Sequence, residues 1–405
     1  MRVSSVTMYE QSISSMNRQQ NDFLKVSQQI ASGRRVVNPS DDPQAASRAV
    51  GVDQARAVTQ QFADSRVSAR NSLAQTESVL NSVSDAITSA KTLMVQASSD
   101  TLSDADRESV ASELRGIYET VIGQANATDG NGRHLFGGYQ DSSEPFVRSD
   151  NGIQYEGDAN TREQRIDASR LMKVSENGES IFNSVPSGAG YVAEADSGNG
   201  GNITFSGPQV IDNDNADYGE SFRIEFTSES QYQVQRFNPA TEDWDVQATA
   251  DYDDQSGVVE IGGLRMELKG EAVNGDTIEF SPADEMNTNL FRSFEKALAV
   301  LENPTENDSD KAALRNTLNT VMREFDNSLD NVLTKRASVG ARLNELDVVD
   351  SVGGNRMLNY EQTLSDLVDL DYAEAIGDYI LRQVGLQASQ KAFADMKGMS
   401  LFNYL

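Results

Sequence analysis

The sequence has no cysteine and a single histidine among its 405 residues. Without cysteine the chain can have no disulfide, no thiol nucleophile, no zinc–thiolate site and no iron–sulfur cluster. One histidine is too few for the multi-histidine metal centres of metalloproteases and related enzymes. These absences exclude most metal- and thiol-based chemistry, and we predict no metal site and no cofactor.

Basic residues are also scarce, with 34 lysines and arginines against 63 aspartates and glutamates and a formal charge of −29. Because nucleic-acid binding needs a basic surface for the phosphates, we predict no nucleic-acid partner. An anionic membrane is disfavoured for the same reason. No segment approaches the roughly 18 consecutive apolar residues of a membrane span, so we predict no membrane insertion. The first residues also lack the apolar core and the Ala-x-Ala-like site of a cleavable secretory signal.

Prolines are missing from two long stretches at the ends of the chain. None occurs between Pro43 and Pro145, and none follows Pro304. Because proline breaks helix interiors, both stretches can form long helices. The segment 147–283 holds 15 of the 29 glycines, and 26 acidic residues against 9 basic ones. This contrast predicts a mainly α-helical protein with an inserted β domain. Both chain ends would build long antiparallel helical rods or coiled coils, and the centre an acidic, β-rich outer domain.

The same contrast predicts three domains. Residues 1–42 with 360–405 would form a terminal helical assembly domain. Residues 43–146 with 284–359 would form a helical rod domain, and residues 147–283 the acidic outer domain.

The helical ends place apolar residues at alternating spacings of three and four, which is typical of coiled coils. Such seams run through residues 6–30, 52–97 and 332–367, and the second corresponds to a helix of roughly 70 Å. A phase shift occurs near Phe325 and Leu329. The seams predict long helices that pack along their length.

Polar residues interrupt the seams at Gln20, Arg66, Thr76 and Asp350. Such residues lower the stability of a coiled coil but fix its register and partner. Two interpretations follow. The seams can form an ordinary, weak coiled coil within one chain, or those at the extreme ends can be completed only between subunits.

Alternating apolar residues predict strands in the central segment. The predicted strands are 221–226, 232–234, 258–261, 264–268 and 277–280. The glycine-rich run 187–201 predicts a loop or linker.

No motif in the sequence predicts catalysis. The acidic run 212–217 resembles a calcium loop, but an EF-hand needs glycine and glutamate where Asp217 and Arg223 stand. His134 occurs without a GxSxG nucleophile motif, and we predict a structural role for it. Acidic pairs are abundant, but nothing singles out two of them as a glycosidase-like pair. We predict no catalytic residue and no enzymatic activity.

Several long segments of the sequence carry a family resemblance. They are MRVSSVTMYEQSISSMNRQQ, QQIASGRRVVNPSDDPQAASRA and NGRHLFGGYQDSSEPF near the start, and RASVGARLNELD and DLDYAEAIGDYILRQVGLQASQKAFADMKGMSLFNYL near the end. Over about 1–146 and 284–405 the chain resembles the flagellin family of the bacterial flagellum. The stretch SGRRVVNPSDDP and the ending SLFNYL are more similar to the third hook-associated proteins of the hook–filament junction than to filament flagellins. His134 stands where the family usually has an aromatic residue.

The resemblance implies a structural axial protein that joins hook to filament as an adaptor layer. Its implied partners are further copies of itself in a ring-like layer, a neighbouring hook-associated protein, filament flagellin and a cytoplasmic export chaperone at the C-terminal helix. It also implies an extracellular location after export through the flagellar type III apparatus, without a cleaved signal.

The terminal seams give the candidate assembly residues. They are Tyr9, Ile13, Met16, Phe23, Ile30, Leu367, Ile376, Ile380, Val384 and Leu386. A free chain cannot bury these seams fully, so we expect the terminal helices to become ordered on assembly.

Two alternatives stay open at this point. One is a filament flagellin, which would grow long filaments by itself. The other is a secreted binding protein or hydrolase whose activity lies in residues 147–283, carried on a helical stalk.

Overall fold

The structure, a computed structural model, describes residues 5–99, 102–254 and 257–398. It divides into two compact units. The first unit contains Met1–Ser65 and Val348–Leu405, and the second unit is Arg66–Asp347. The division into three domains stays a prediction.

Helices occupy both ends of the chain. In chain order they are α1 (Ser5–Ser32), α2 (Pro43–Ala97), α3 (Asp104–Ala125), α4 (Glu179–Phe182), α5 (Leu290–Glu302), α6 (Asp308–Val368) and α7 (Tyr372–Gly398). Helices α2 and α6, with 55 and 61 residues, are the long helices that the absence of proline predicts. None of the helices in the described residues is long and apolar enough to cross a membrane.

In the parts of the chain that the structure describes, twelve strands lie between α3 and α5. They are β1 (Phe146–Ser149), β2 (Gly152–Tyr155), β3 (Glu163–Asp167), β4 (Arg170–Lys173), β5 (Tyr191–Ala195), β6 (Thr204–Val210), β7 (Phe222–Ser228), β8 (Gln231–Asn238), β9 (Asp243–Asp251), β10 (Gly257–Ile261), β11 (Leu264–Lys269) and β12 (Thr277–Pro282). The five predicted strands correspond to β7, β8, β10, β11 and β12, and all five are confirmed. The mainly α-helical architecture with a central antiparallel β domain is confirmed as well.

The strands form two larger sheets and two hairpins, all antiparallel. One sheet has the order β5-β12-β7-β8-β9, the other β10-β11-β6, and the hairpins are β1-β2 and β3-β4. In the larger sheet Ile224 pairs with both Val234 and Ile278, which places three β-branched side chains on one face. This face packs on the inner face of the smaller sheet around buried Phe222, Phe226 and other apolar residues.

The prediction of a loop at 187–201 is wrong in part, because β5 lies inside it. The five residues of β5 contain two alanines and directly follow Gly190, so their strand pattern is weak in the sequence. Pairing with the neighbouring strand β12 stabilises β5 nevertheless.

The seam predicted for α2 is buried over its second half, within the second unit. Its apolar members there are Ala69, Leu73, Leu80, Val83, Ile87, Ala90, Met94 and Ala97. Two polar members are buried too. The guanidinium of Arg66 donates to the carbonyl of Ile166 at 3.0 Å, and the hydroxyl of Thr76 donates to the carbonyl of Ser72 at 2.9 Å. These two polar seam residues are therefore satisfied within one chain.

Helix α6 carries a buried polar row that contacts the edges of the two sheets. The amide of Asn316 donates to the carbonyl of Ile203 at 2.9 Å and accepts from the N–H of Phe205 at 3.1 Å. The hydroxyl of Thr320 donates to the carbonyl of Ala193 at 2.6 Å. These contacts give hydrogen-bond partners to backbone groups along the edges of β5 and β6. Helix α6 therefore satisfies backbone groups that would otherwise need a further strand at these edges.

Candidate functional site

The terminal helices α1 and α7 pack side by side in opposite directions. The ring centroid of Tyr9, near the start of α1, lies 5.3 Å from that of Phe393, near the end of α7. The centroids of Phe23, near the end of α1, and Tyr379, near the start of α7, are 5.0 Å apart. The sequence prediction that the two chain ends run antiparallel is confirmed for these helices.

Polar contacts add to the pairing. A guanidinium nitrogen of Arg382 lies 3.0 Å from a carboxylate oxygen of Asp22. Gly385 allows a close approach, because a Cβ atom at this position would lie 2.9 Å from the Oε1 atom of Gln19. The ion pair is half-exposed and contributes at most about 1 kcal/mol, so apolar contact must supply most of the pairing energy.

The pair of helices has almost no buried interior of its own. Among the side chains that the structure describes in α1 and α7, only Val26 and Ala375 are buried. Neither was among the predicted assembly residues. Two helices that bury so little apolar surface are marginal by themselves.

The structure separates the ten predicted assembly residues into two groups. Half-buried are Ile13, Met16, Phe23 and Ile30 of α1, Leu367 of α6 and Leu386 of α7. Largely exposed are Tyr9 of α1 and Ile376, Ile380 and Val384 of α7. Of the ten, Tyr9 and Phe23 have a described ring contact with the opposite helix.

Five large apolar residues of α7 are exposed, and we call this set the outer stripe. It consists of Tyr372, Ile376, Ile380, Leu381 and Val384, whose exposed fractions run from 50% to 71%. Four of them are spaced four residues apart and therefore lie on one side of the helix. The sequence analysis missed Tyr372 and Leu381. The four-residue spacing after the helix start was the signal that could have found Tyr372.

Residues 33–42 form the turn segment that joins α1 to α2. Gly33 ends α1 with a positive φ of 69°, a conformation that glycine adopts readily. The guanidinium of Arg35 donates to the carbonyl of Leu367 at 2.7 Å, and the N–H of Arg35 donates to the carbonyl of Val368 at 2.8 Å. These bonds attach the turn to the end of α6, within the first unit.

Two aspartates order the turn and start α2. A carboxylate oxygen of Asp41 accepts from the N–H of Asn38 at 2.9 Å, and Asp42 accepts from the N–H of Ala45 at 3.0 Å. The backbone hydrogen bonds lower the pKa of both carboxyl groups, and the cations of Lys25 and Arg35 lower them further. Asp42 thus caps α2, with proline at the first helical position.

The variant Asp42→Ala is expected to speed hydrogen exchange in the first turn of α2, because it removes the cap. Asp42→Asn should retain most of the protection, since asparagine caps equally well. The folded-state pKa of Asp42 is lowered, so its carboxylate stabilises the turn above the unfolded value of 3.8. This stabilisation is lost as the pH falls through the folded-state pKa.

Protection factors measured by hydrogen exchange at neutral pH, and well below pH 3.8, test this expectation. Ser40→Ala, at an exposed position of the same turn, is the control and should change nothing. Equal protection in the wild type and in Asp42→Ala at neutral pH contradicts the assignment of the cap.

The two other candidate sites from the sequence, His134 and the acidic run 212–217, make ordinary contacts within the chain. A ring nitrogen of His134 lies 2.8 Å from the carbonyl oxygen of Asn126. In the acidic run 212–217, a carboxylate oxygen of Asp212 accepts from the N–H of Asp214 at 3.0 Å. No group of three or more acidic or histidine side chains within the described parts of the chain is placed to hold a metal ion.

Comparison with known proteins places both helical ends in one family. Residues 3–141 match the family model of the bacterial flagellin N-terminal helical region. The chain is 35% identical over 403 residues to flagellar hook-associated protein 3 of Escherichia coli strain K12, covering 99% of each chain. This chain belongs to the flagellar hook-associated protein 3 family. The Salmonella typhimurium member of that name is 34% identical over the same length.

A solved structure extends the family likeness to the fold. The crystal structure of Xanthomonas campestris FlgL has a TM-score of 0.68, with 28% identity. The match covers 78% of this chain and 99% of that one. The family resemblance predicted from the sequence is therefore confirmed. The ending SLFNYL, on which part of it depended, lies outside the described residues.

Proposed function

We propose that this chain is a structural axial protein of the bacterial flagellum and joins the hook to the filament as an adaptor layer. One observation carries the proposal: the paired ends of a hook-associated protein 3 chain leave the outer stripe of α7 exposed. Exposed apolar surface of this kind marks a protein–protein contact. Its position on the terminal helices favours contact with neighbouring axial subunits.

Assembly would complete the folding of the ends. The α1–α7 pair buries little surface in the single chain, so its stability is low compared with the second unit. Neighbouring copies in a ring-like layer would cover the outer stripe and the exposed residues Tyr9 and Leu24 of α1. The apolar surface removed from water then offsets the loss of conformational entropy.

The domain division fits this role. Residues 1–42 with 360–405 would form the assembly domain, 43–146 with 284–359 the rod, and 147–283 the outer surface. The acidic outer domain would keep the exposed part of the layer soluble and would repel non-specific partners.

The same apolar stripe needs protection before assembly. We infer that a cytoplasmic chaperone covers α7 until the chain is exported, unfolded, by the flagellar type III apparatus. A chain without disulfides can be threaded without reduction. Outside the cell, a neighbouring hook-associated protein and filament flagellin would be its partners above and below the layer.

A unique label tests the proposal in the bacterium from which the chain comes. Because the chain has no cysteine, Glu229→Cys in the exposed turn between β7 and β8 gives one reactive thiol. Deleting the gene is expected to leave hooks without filaments, and the cysteine variant should restore the filaments. Gold–maleimide should then mark a single narrow band at the base of each filament in electron micrographs.

Two other results of the labelling experiment would contradict the junction assignment. A label along the whole filament indicates a filament flagellin. Filaments that form normally in the deletion strain overturn the proposal. The parent chain, which has no thiol, controls for labelling of other flagellar proteins.

A further inference from the structure

A cleft in the second unit has an unusual charge for this acidic protein. The cleft lies among the end of β4, the loop that follows α4 and the middle of α6, and its volume is about 740 Å³. That volume is within the range of about 300–1,000 Å³ that holds a ligand of several functional groups. Its residues are Leu171, Lys173, Ser184, Pro186, Ser187, Thr334, Lys335 and others on the same walls.

The acidic side chains that line the cleft are paired with arginines, and two of its lysines have no ion-pair partner in the described structure. Glu176 is paired with Arg342, and Glu345 with Arg170. Throughout the described residues, the ammonium groups of Lys173 and Lys335 have no ion pair and no hydrogen bond. Since the chain carries 63 acidic side chains, two unpaired cations in one cleft point to an anionic occupant.

Beside the two lysines, the cleft has an apolar wall. Leu171 is 56% exposed, and Val185 and Pro186 also line the cleft. Ser187 and Thr334 also line the cleft, and the hydroxyl of Thr334 donates to the carbonyl of Asp330 in its own helix at 2.8 Å. A polypeptide segment that matches this cleft would carry apolar side chains and, within a few residues of them, carboxylates.

A segment of this same chain has that composition. Val210 and Ile211, at the end of β6, are 48% and 53% exposed. Asp212 follows directly and Asp214 comes two residues later, and neither pairs with a cation among the residues that the structure describes. The N–H groups of Ile211 and Asp212 both donate to the carbonyl of Gly263, at 2.8 and 3.0 Å, which fixes the segment on the surface.

We propose that the cleft binds residues 210–214 of a second copy of this chain. The two aspartates contact Lys173 and Lys335, and the two apolar residues pack on the wall that includes Leu171. The proposal rests on the proposed function, which supplies neighbouring copies in one layer. Because the two surfaces are different parts of the chain, the contact is head-to-tail, and such contacts generate rings or helical arrays rather than twofold dimers.

The absence of cysteine makes the contact testable in assembled flagella. One gene copy carries Ser187→Cys, in the cleft, and a second copy carries Asn213→Cys, in the acidic segment. Flagella isolated from cells that produce both variants are treated with a short bis-maleimide. A covalent dimer of the two variants is expected, and cells that produce either variant alone should give about tenfold less.

Charge reversal sharpens the test. Adding Lys173→Glu and Lys335→Glu to the copy with the cleft cysteine should lower the dimer yield about tenfold, because like charges then face each other. Asp212→Lys with Asp214→Lys on the other copy should restore it. Lys269→Glu, at an exposed position elsewhere on the outer domain, should have no effect.

The outcomes separate this inference from the proposed function. If filaments and junctions form normally but the mixed dimer does not exceed the single-variant level, the inference is wrong and the proposed function stands. The inference is also wrong, and the proposed function still stands, if reversing the charge of both lysines leaves the yield of the mixed dimer unchanged. If filaments form without the chain, the proposed function fails first.

Discussion

The variant Phe291→Ala is expected to lower the free energy of unfolding of the second unit by about 3–5 kcal/mol. Phe291 is fully buried, and its ring centroid lies 5.0 Å from that of Phe146 and 5.7 Å from that of Phe182. It therefore joins α5 to the hairpin β1-β2 and to α4. Removing its ring deletes buried apolar surface and leaves a cavity that these elements are too constrained to fill.

Urea unfolding of the full chain measures this effect, followed by far-ultraviolet circular dichroism and by the fluorescence of Trp244. Trp244 is the one tryptophan of the chain and lies in β9, within the second unit. Tyr139→Ala is the matched control, because Tyr139 is 63% exposed and its loss should change stability by less than about 0.5 kcal/mol. A loss below about 1 kcal/mol for Phe291→Ala contradicts the packing described.

The sequence was most informative where one periodicity determined both structure and burial. The seam of α2 predicted its buried residues from Ala69 to Ala97, because a helix that packs along its length buries the same side in every turn. The strands β7 and β12 were equally clear, since their apolar residues alternate. In both cases the apolar pattern and the local propensity agree.

The polar row of α6 could not be interpreted from the sequence in the same way. Asn316, Thr320, Glu324, Asn327 and Asn331 are spaced four, four, three and four residues apart, and all are buried. A polar row at this spacing is normally the solvent side of a helix. Here it supplies hydrogen bonds to neighbouring backbone, and that requirement depends on strands and loops more than 100 residues away in the chain.

The phase shift near Phe325 has its cause in the same region. Phe325 is buried against Phe294 of α5, with ring centroids 4.8 Å apart. Buried Leu318 and Val321 precede it, and buried Val332 follows. Helix α6 thus packs on an aromatic cluster here rather than along a single neighbouring helix, so the heptad spacing changes.

For the candidate assembly surface, the sequence located the helices but did not rank their residues. It placed Phe23 and Val384 in one class, although one is half-buried against Tyr379 and the other is 58% exposed. An apolar residue on a helix has the same sequence pattern whether its partner is in the same chain or in another. Only the packing of α1 on α7 shows which apolar residues remain exposed in the single chain.

The double variant Leu381→Asp with Val384→Asp is expected to abolish filament formation while leaving the free chain folded. Leu381 and Val384 are 71% and 58% exposed, so their replacement costs the single chain little. In the assembled layer, burying each residue would contribute about 1.5–3 kcal/mol, and a buried unpaired carboxylate would cost more. Because every copy in the layer carries the defect, the loss is repeated at each contact.

Complementation of a deletion strain measures the result, with filaments counted by electron microscopy and the chain followed by immunoblot in cells, culture medium and isolated flagella. Gln383→Asp with Gln387→Asp adds the same charge to exposed polar positions of the same helix and should support filaments normally. Circular dichroism of the purified variants should match the wild type. We expect to find the Leu381→Asp, Val384→Asp variant in the culture medium, because it is exported but not retained in the flagellum. If it is incorporated at the wild-type level, the outer stripe is not an assembly contact.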